Sequence, residues 1–131
     1  MGIHSLRKKI QTEGYINGVK IVNLEIDVVE EGAYHVVKLN GEIDVYTAPK
    51  LKEKIIPLTE KEGNKVKIDL KNTYYLDSTG LGVFISAYKS TKKNNSELKL
   101  IHVRDRVLRL FKVTGLHEIM DLDVEEKDGG E

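Results

Sequence analysis

The sequence predicts an α/β fold, in which a small mixed β-sheet carries helices packed against it. Along the chain, short stretches with the apolar–polar alternation of strands are followed by longer stretches with helical periodicity. The 131 residues are enough for a single domain with one core, and 40% of them are hydrophobic. Only 6% are aromatic and Trp is absent, so we expect a mainly aliphatic core.

Two strands are predicted first. LEIDVVEE (24–31) alternates apolar and polar residues, as a half-buried strand does, and AYHVVKL (33–39) follows a turn at Glu31-Gly32. Because the two short runs are separated only by this turn, we expect them to form a hairpin.

The first helix is predicted to follow NGEIDVYTAP (40–49). Thr47 is a favourable N-cap, and Pro49 suits the first turn, where no backbone donor is required. Pro57 lacks a backbone donor and is expected to kink or end the helix. The apolar positions that share one helical face are Leu51, Ile55 and Leu58.

The rest of the chain predicts two more strand–helix pairs. KVKIDL (65–70) is the expected central strand, and the helix after it is interrupted by KKNNSE (92–97). LKLIHV (98–103) is the next strand, RDRVLRLFKVTG (104–115) the last helix, and LHEIMDL (116–122) a short closing element. Right-handed crossovers would place the loop after the central strand at the carboxyl edge of the sheet, where open α/β sheets commonly bind ligands and partners.

The two ends of the chain are predicted to lie outside the domain, which we place at residues 23–122. Residues 1–22 are interpreted as an N-terminal extension or an expression leader, although Asn17-Gly18 is a strong turn dipeptide that favours a small hairpin. Residues 123–131 are acidic, end in glycines, and are predicted to form a flexible tail.

Composition excludes several classes of function. The 21 basic and 21 acidic residues balance, so charge gives no argument for nucleic acid or an anionic membrane. Cysteine is absent, which excludes disulfides and thiol catalysis. No apolar run approaches the roughly 20 residues of a membrane span. The four histidines lack the spacing of a metal site, so we predict no metal and no cofactor. The absence of cysteine and of an apolar run favours a cytoplasmic location.

The stretch LDSTGLG (76–82) is the strongest local signal. Asp77 or Ser78 can cap the helix that starts there. Capping does not explain Gly80 and Gly82, since each costs about 0.8–1 kcal/mol relative to alanine inside a helix. The two glycines therefore predict the close approach of another backbone, either from a neighbouring strand or from a partner.

Catalytic interpretations of this stretch fit poorly, and no catalytic residue is predicted. A nucleophile elbow needs glycine where Leu76 stands, and no histidine has an evident orienting partner. Asp77-Ser78-Thr79-Gly80 has one residue more than an aspartic protease motif. Neither a dinucleotide-binding glycine pattern nor a P-loop is present.

The remaining interpretation of this stretch is that it carries a hydroxyl that another protein modifies. A phosphate on Ser78 would meet free N–H groups at the helix start, but also the carboxylate of Asp77 and, if its loop lies at the same edge, that of Asp44. The added charge of about −1.5 to −2 would leave the fold intact and weaken a partner docked on this surface by roughly a hundredfold.

GEID followed by DSTGLG in this order of elements resembles the STAS-domain anti-sigma factor antagonists, most of all those of the general-stress sigma-factor pathway of Gram-positive bacteria. The resemblance covers about residues 24–122. It lies mainly in LNGEIDVYTAPKLKEKIIPL (39–58), YYLDSTGLGVFISAYK (74–89) and RVLRLFKVTGLHEIMDL (106–122). The 22-residue leader departs from the family, whose first strand starts almost at the N-terminus.

The resemblance implies a binding partner and kinase substrate, not an enzyme. The unphosphorylated protein would bind an anti-sigma factor serine kinase of the GHKL type and so release the sigma factor. That kinase would phosphorylate Ser78, and a PP2C-type phosphatase would reverse the modification. Asp44, Asp77, Thr79 and Gly80 would surround the phosphorylation site.

The resemblance also implies a docking face that includes Tyr46, Thr47 and Gly82, on a protein expected to be a monomer. The alternative is a STAS scaffold module of a larger signalling assembly, in which Ser78 is modified by another kinase or only caps the helix. Capture of a small GHKL-type kinase would favour the antagonist, and recovery in a very large particle would favour the scaffold.

Overall fold

The structure, a computed structural model, describes residues 7–124. This part of the chain forms six strands and three α-helices, with one 3₁₀-helix before the last strand. Their bounds are β1 Arg7–Ile16, β2 Val19–Glu31, β3 Tyr34–Gly41, α1 Ala48–Thr59, β4 Lys65–Asn72, α2 Ser78–Asn94, β5 Glu97–Val103, α3 Asp105–Val113, the 3₁₀-helix Leu116–Glu118 and β6 Asp121–Val124.

The six strands form one mixed sheet in the order β1-β2-β3-β4-β5-β6. β1, β2 and β3 are antiparallel neighbours, whereas β3, β4, β5 and β6 run parallel. The predicted mixed α/β sheet is confirmed, and β4 lies near its centre. The loops after β3 and β4 therefore leave the sheet at the same carboxyl edge.

One face of the sheet carries the core and all three helices. Leu51 of α1, Phe84 of α2 and Phe111 of α3 are fully buried in a single cluster with the sheet residues of that face. The Phe84 and Phe111 rings lie 6.2 Å apart between centroids, which joins α2 to α3. Because the core is continuous, the start of α2 is held on a rigid support.

Several predicted boundaries differ from the structure. Pro57 lies inside α1, which continues to Thr59, since a proline near a helix end costs only one of the last backbone hydrogen bonds. α2 continues to Asn94 and ends at Asn95, whose left-handed φ of 56° reverses the chain. The predicted tail begins inside a strand, because Asp123 and Val124 belong to β6; residues 125–131 lie outside the described part.

The largest difference concerns the N-terminal segment that the sequence interpretation left out of the fold. Residues from Arg7 to Ile16 form β1, which pairs with β2 through a two-residue turn. Asn17 and Gly18 have φ of 51° and 81°, as that type of hairpin turn requires. β2 consequently begins at Val19 rather than at Leu24.

Candidate functional site

Two loops meet at the carboxyl edge of the sheet and are joined by backbone hydrogen bonds. Ile43 and Leu76 form a parallel bridge. The Ile43 N–H donates to the Tyr75 carbonyl at 3.1 Å, and the Asp77 N–H donates to the Ile43 carbonyl at 3.2 Å. The structure thereby brings the loop that carries Asp44 against the loop that carries Ser78.

Asp44 organises the first of these loops. Its carboxylate oxygen Oδ1 accepts hydrogen bonds from the backbone N–H of Tyr46 at 2.9 Å and of Thr47 at 3.1 Å. These bonds fix the carboxylate beside the start of α1 and leave the Tyr46 side chain 82% exposed. Asp44 therefore contributes a negative charge in a fixed position and is itself half-buried.

Thr47 does not have the role that the sequence suggested. It occupies the N-cap position of α1, but its side chain makes no capping hydrogen bond. The hydroxyl instead donates to the Glu42 carbonyl at 2.8 Å and accepts from the Asp44 N–H at 2.9 Å. The side chain is fully buried, so Thr47 supports the loop from inside and lies outside any exposed docking face.

Asp77 caps the second helix. Its Oδ1 accepts the Gly80 N–H at 2.9 Å, and its carbonyl accepts the Leu81 N–H at 2.9 Å as the first helical bond. Ser78 and Thr79 are the first two residues of α2, and both are exposed. Helix geometry leaves their backbone N–H groups without intrahelical acceptors, so an anion on Ser78 would meet two donors.

The two glycines of the motif have different surroundings. A Cβ on Gly80 would lie 2.5 Å from Leu76 Cδ1, 2.7 Å from Ile43 Cγ2 and 2.9 Å from the Ile43 carbonyl oxygen. The close approach predicted for Gly80 is therefore the approach of the neighbouring loop. A Cβ on Gly82 would have no atom within 4 Å, so nothing in the described chain requires glycine there.

Gly82 opens into a groove between α1 and α2 with a volume of about 430 Å³. We call it the α1–α2 groove; it is lined by Ala48, Pro49, Lys52, Thr79, Gly82, Val83 and Ser86. Only Thr79 and Gly82 of these were predicted as site residues. The others fit a helical face on each side, but no sequence pattern shows that two such faces stand apart.

A second exposed feature of this edge was also missed by sequence reasoning. The side chains of Tyr74 and Tyr75, directly before the Ser78 loop, are 56% and 46% exposed. The guanidinium of Arg104, at the start of α3, stacks over the Tyr74 ring at 4.1 Å from its centroid. Tyrosines that remain exposed beside a polar loop are typical of protein-binding surfaces.

The described residues offer little for other chemistry. Across residues 7–124, no cluster of three or more His, Asp or Glu side chains is arranged to hold a metal ion. Within the same range, no helix has both the length and the apolar character required to cross a bilayer.

The described chain is thus a mixed sheet with helices on one face and two bridged loops at its carboxyl edge. The STAS domain family matches residues 25–129, and the chain belongs to this family. The fold class and the family resemblance predicted from the motifs are both confirmed.

Three similar proteins narrow the class. The chain is 44% identical over 108 residues to the anti-sigma-B factor antagonist of Bacillus subtilis (strain 168), covering 82% of this chain and 98% of that protein. It is 38% identical over 102 residues to the anti-sigma-B factor antagonist of Staphylococcus aureus (strain NCTC 8325 / PS 47), covering 78% and 94%. The crystal structure of an anti-sigma factor antagonist from Mycobacterium paratuberculosis superposes with a TM-score of 0.69 at 26% identity, covering 77% of this chain and 86% of that one.

Proposed function

We propose that this protein is an anti-sigma factor antagonist switched by phosphorylation of Ser78. The unphosphorylated form binds an anti-sigma factor kinase in the cytoplasm and releases the sigma factor. The kinase phosphorylates Ser78 and ends the interaction, and a PP2C-type phosphatase restores it. The observation that carries the proposal is an exposed serine at a helix start, beside the fixed carboxylate of Asp77 and the bridged loop of Asp44. The names of the similar proteins support the antagonist part of this role.

The surroundings of Ser78 suit modification better than nucleophilic catalysis. A catalytic serine needs a base within hydrogen-bond reach. The described histidines contact other groups: His35 lies 3.8 Å from Glu30, His102 lies 3.0 Å from Asp69, and His117 lies 3.3 Å from the Phe111 carbonyl. These contacts support a role of the protein as a substrate and binding partner.

The geometry also accounts for a switch that leaves the fold intact. The phosphate would accept hydrogen bonds from the free N–H groups at the start of α2, which offsets part of its charge. It would add about −1.5 to −2 charge on the exposed side of Asp44 and Asp77, where a partner docks. The surface becomes more negative and changes shape, while the core below it is untouched.

Mass mapping tests the proposal directly. We expect incubation with ATP and the anti-sigma kinase of the same organism to add one phosphoryl group, on the peptide that contains Ser78. The Ser78→Ala variant should remain unmodified and Thr79→Ala should still be modified, because only Ser78 is the acceptor. No modification by an active kinase, or modification that persists in Ser78→Ala, would contradict the proposal and shift support to the scaffold alternative.

Asp44→Ala is expected to alter phosphorylation without unfolding the domain. The variant loses the hydrogen bonds to two backbone N–H groups, a loss comparable to that of a helix cap, for about 0.5–2 kcal/mol. The loop beside Ser78 then loosens, and the initial rate of phosphorylation changes. Asp44→Asn, which keeps an acceptor oxygen but not the charge, separates loop order from charge. Unchanged rates in both variants, with circular dichroism showing folded protein, would remove Asp44 from the site.

A further inference from the structure

The β1–β2 hairpin extends past the carboxyl edge of the sheet and forms an arm, which we define as residues 13–22. β2 pairs with β3 only from Leu24, opposite Gly41, and the residues before it pair with β1 alone. Since β2 is antiparallel to β3, the residues of β2 before Leu24 extend beyond Gly41, the carboxyl end of β3. Val19 lies five residues before Leu24, so at about 3.4 Å per residue the arm projects about 17 Å.

The base of the arm is fixed against the chain that enters the Asp44 loop. The Glu42 N–H donates to the Asn23 carbonyl at 3.2 Å. Gly41 has φ of 133°, and a Cβ there would lie 2.2 Å from the same carbonyl oxygen, so the two backbones touch. The arm and the Ser78 site therefore stand on the same edge, two strand spacings or about 10 Å apart across the sheet.

The tip of the arm exposes three large apolar side chains. Tyr15, Ile16 and Val19 are 69%, 62% and 60% exposed, and they surround the Asn17-Gly18 turn. Ile16 and Val19 are paired across the turn and share one face of the hairpin, whereas Tyr15, paired with Lys20, lies on the other face. Exposed apolar residues concentrated at the end of a projecting element are typical of an interaction surface. Tyrosine in particular contributes much contact area for little loss of conformational entropy.

The arm lies outside the part of the chain that the STAS family model matches. The STAS family match begins at residue 25, after the arm has ended. The aligned region of the Bacillus subtilis relative covers 98% of that protein but only 82% of this chain. Part of this chain thus lies outside that alignment.

We propose that the apolar tip is a second contact for the protein partner that docks on the Ser78 surface, an inference that rests on the proposed function. A standard interface of about 800 Å² per partner is about 30 Å across. The tip lies about 20 Å from Ser78 by the strand spacings above, so one partner covers both. The arm then adds affinity that phosphorylation leaves unchanged.

The test compares the affinities of the wild type and three variants for the purified anti-sigma kinase by calorimetry. The triple variant Tyr15→Ser, Ile16→Ser, Val19→Thr should bind about tenfold more weakly than the wild type, as expected for the loss of an aromatic anchor and its neighbours. Val113→Ser, which removes a 78% exposed apolar side chain from α3, should bind as the wild type does. Tyr15→Ala alone should also weaken binding, in case the triple variant disturbs the hairpin.

The combination with Ser78→Asp distinguishes the two proposals. Sites this far apart are expected to act additively, so the tip substitutions should weaken the Ser78→Asp form by the same factor. Wild-type affinity of both tip variants, together with the expected weaker binding of Ser78→Asp, would overturn the arm contact and leave the proposed function in place. A wild-type protein that fails to bind would overturn both. A dimer in sedimentation that the triple variant converts to a monomer, with unchanged kinase affinity, would assign the tip to a second copy of this chain instead.

Discussion

Phosphorylation of Ser78 is expected to weaken binding to the anti-sigma factor about a hundredfold, and Ser78→Asp about tenfold. Ser78→Ala should bind as tightly as the unmodified protein at all times. The reason is charge: a phosphate adds nearly two negative charges beside Asp77 and the Asp44 loop, whereas aspartate adds one. Because a tenfold change corresponds to about 1.4 kcal/mol, half the charge gives about half the free energy.

The measurement is the dissociation constant of each form for the purified anti-sigma kinase, with non-hydrolysable nucleotide present so that the wild type stays unmodified. Val113→Asp is the matched control, since it adds the same charge at an exposed position at the far end of α3. Its affinity should equal that of the wild type. Equal affinities of Ser78→Ala and Ser78→Asp would show that Ser78 is not a charge switch.

Ionic strength provides a second reading of the same effect. Repulsion between exposed charges is screened over about 8 Å at physiological salt and over about 3 Å at 1 M. The ratio of the Ser78→Ala and Ser78→Asp affinities should therefore fall as salt is raised. A ratio that stays constant would indicate that the serine contacts its partner sterically instead.

Periodicity predicted the sheet and the helices because each element buries one face and repeats its apolar residues accordingly. LEIDVVEE and KVKIDL alternate, and their apolar members Ile26 and Ile68 are fully buried. Periodicity did not predict the arm. Its tip residues are exposed, so no alternation of buried and exposed positions marks it, and only the Asn17-Gly18 dipeptide indicated a turn.

The site was predictable in composition and less so in contacts. The position of Asp77 before a helical run indicated a cap, which the structure shows with Gly80 as the donor. Thr47 carried the same type of signal at α1, yet its hydroxyl turns back toward Glu42 and Asp44. The choice between these two geometries depends on the bridge between Ile43 and Leu76, which joins residues far apart in sequence and which no local pattern contains.

The same bridge explains why the two glycines of DSTGLG, identical in the sequence, differ in their predicted response to alanine. At Gly82 a methyl group enters open space, so Gly82→Ala should stabilise the helix by about 0.8–1 kcal/mol. If a partner's backbone docks in the α1–α2 groove, that variant should nevertheless bind the anti-sigma kinase more weakly. Higher stability combined with unchanged affinity would remove Gly82 from the interface.

Gly80→Ala is expected to destabilise the domain by about 2 kcal/mol or more, because overpacking of a rigid site commonly costs 1–3 kcal/mol. The methyl group would lie within 3 Å of three atoms, one of which is the Ile43 carbonyl oxygen that accepts the Asp77 N–H. The side chains of Leu76 and Ile43 can turn aside, but the carbonyl can move only if the bridge opens. Relief of the clash therefore separates the Asp44 loop from the Ser78 loop.

Thermal unfolding of Gly80→Ala beside Gly82→Ala gives the decisive comparison, since both add one methyl group to the first turns of α2. With roughly 3–5 °C per kcal/mol for a chain of this size, we expect Tm to fall by about 6–10 °C in the first variant and to rise by about 3 °C in the second. Phosphorylation of Gly80→Ala below its Tm should be slow, because the acceptor loop has lost its neighbour. If Gly80→Ala instead raised Tm as Gly82→Ala does, the contact at Ile43 would be yielding, and the two loops would not form one rigid site.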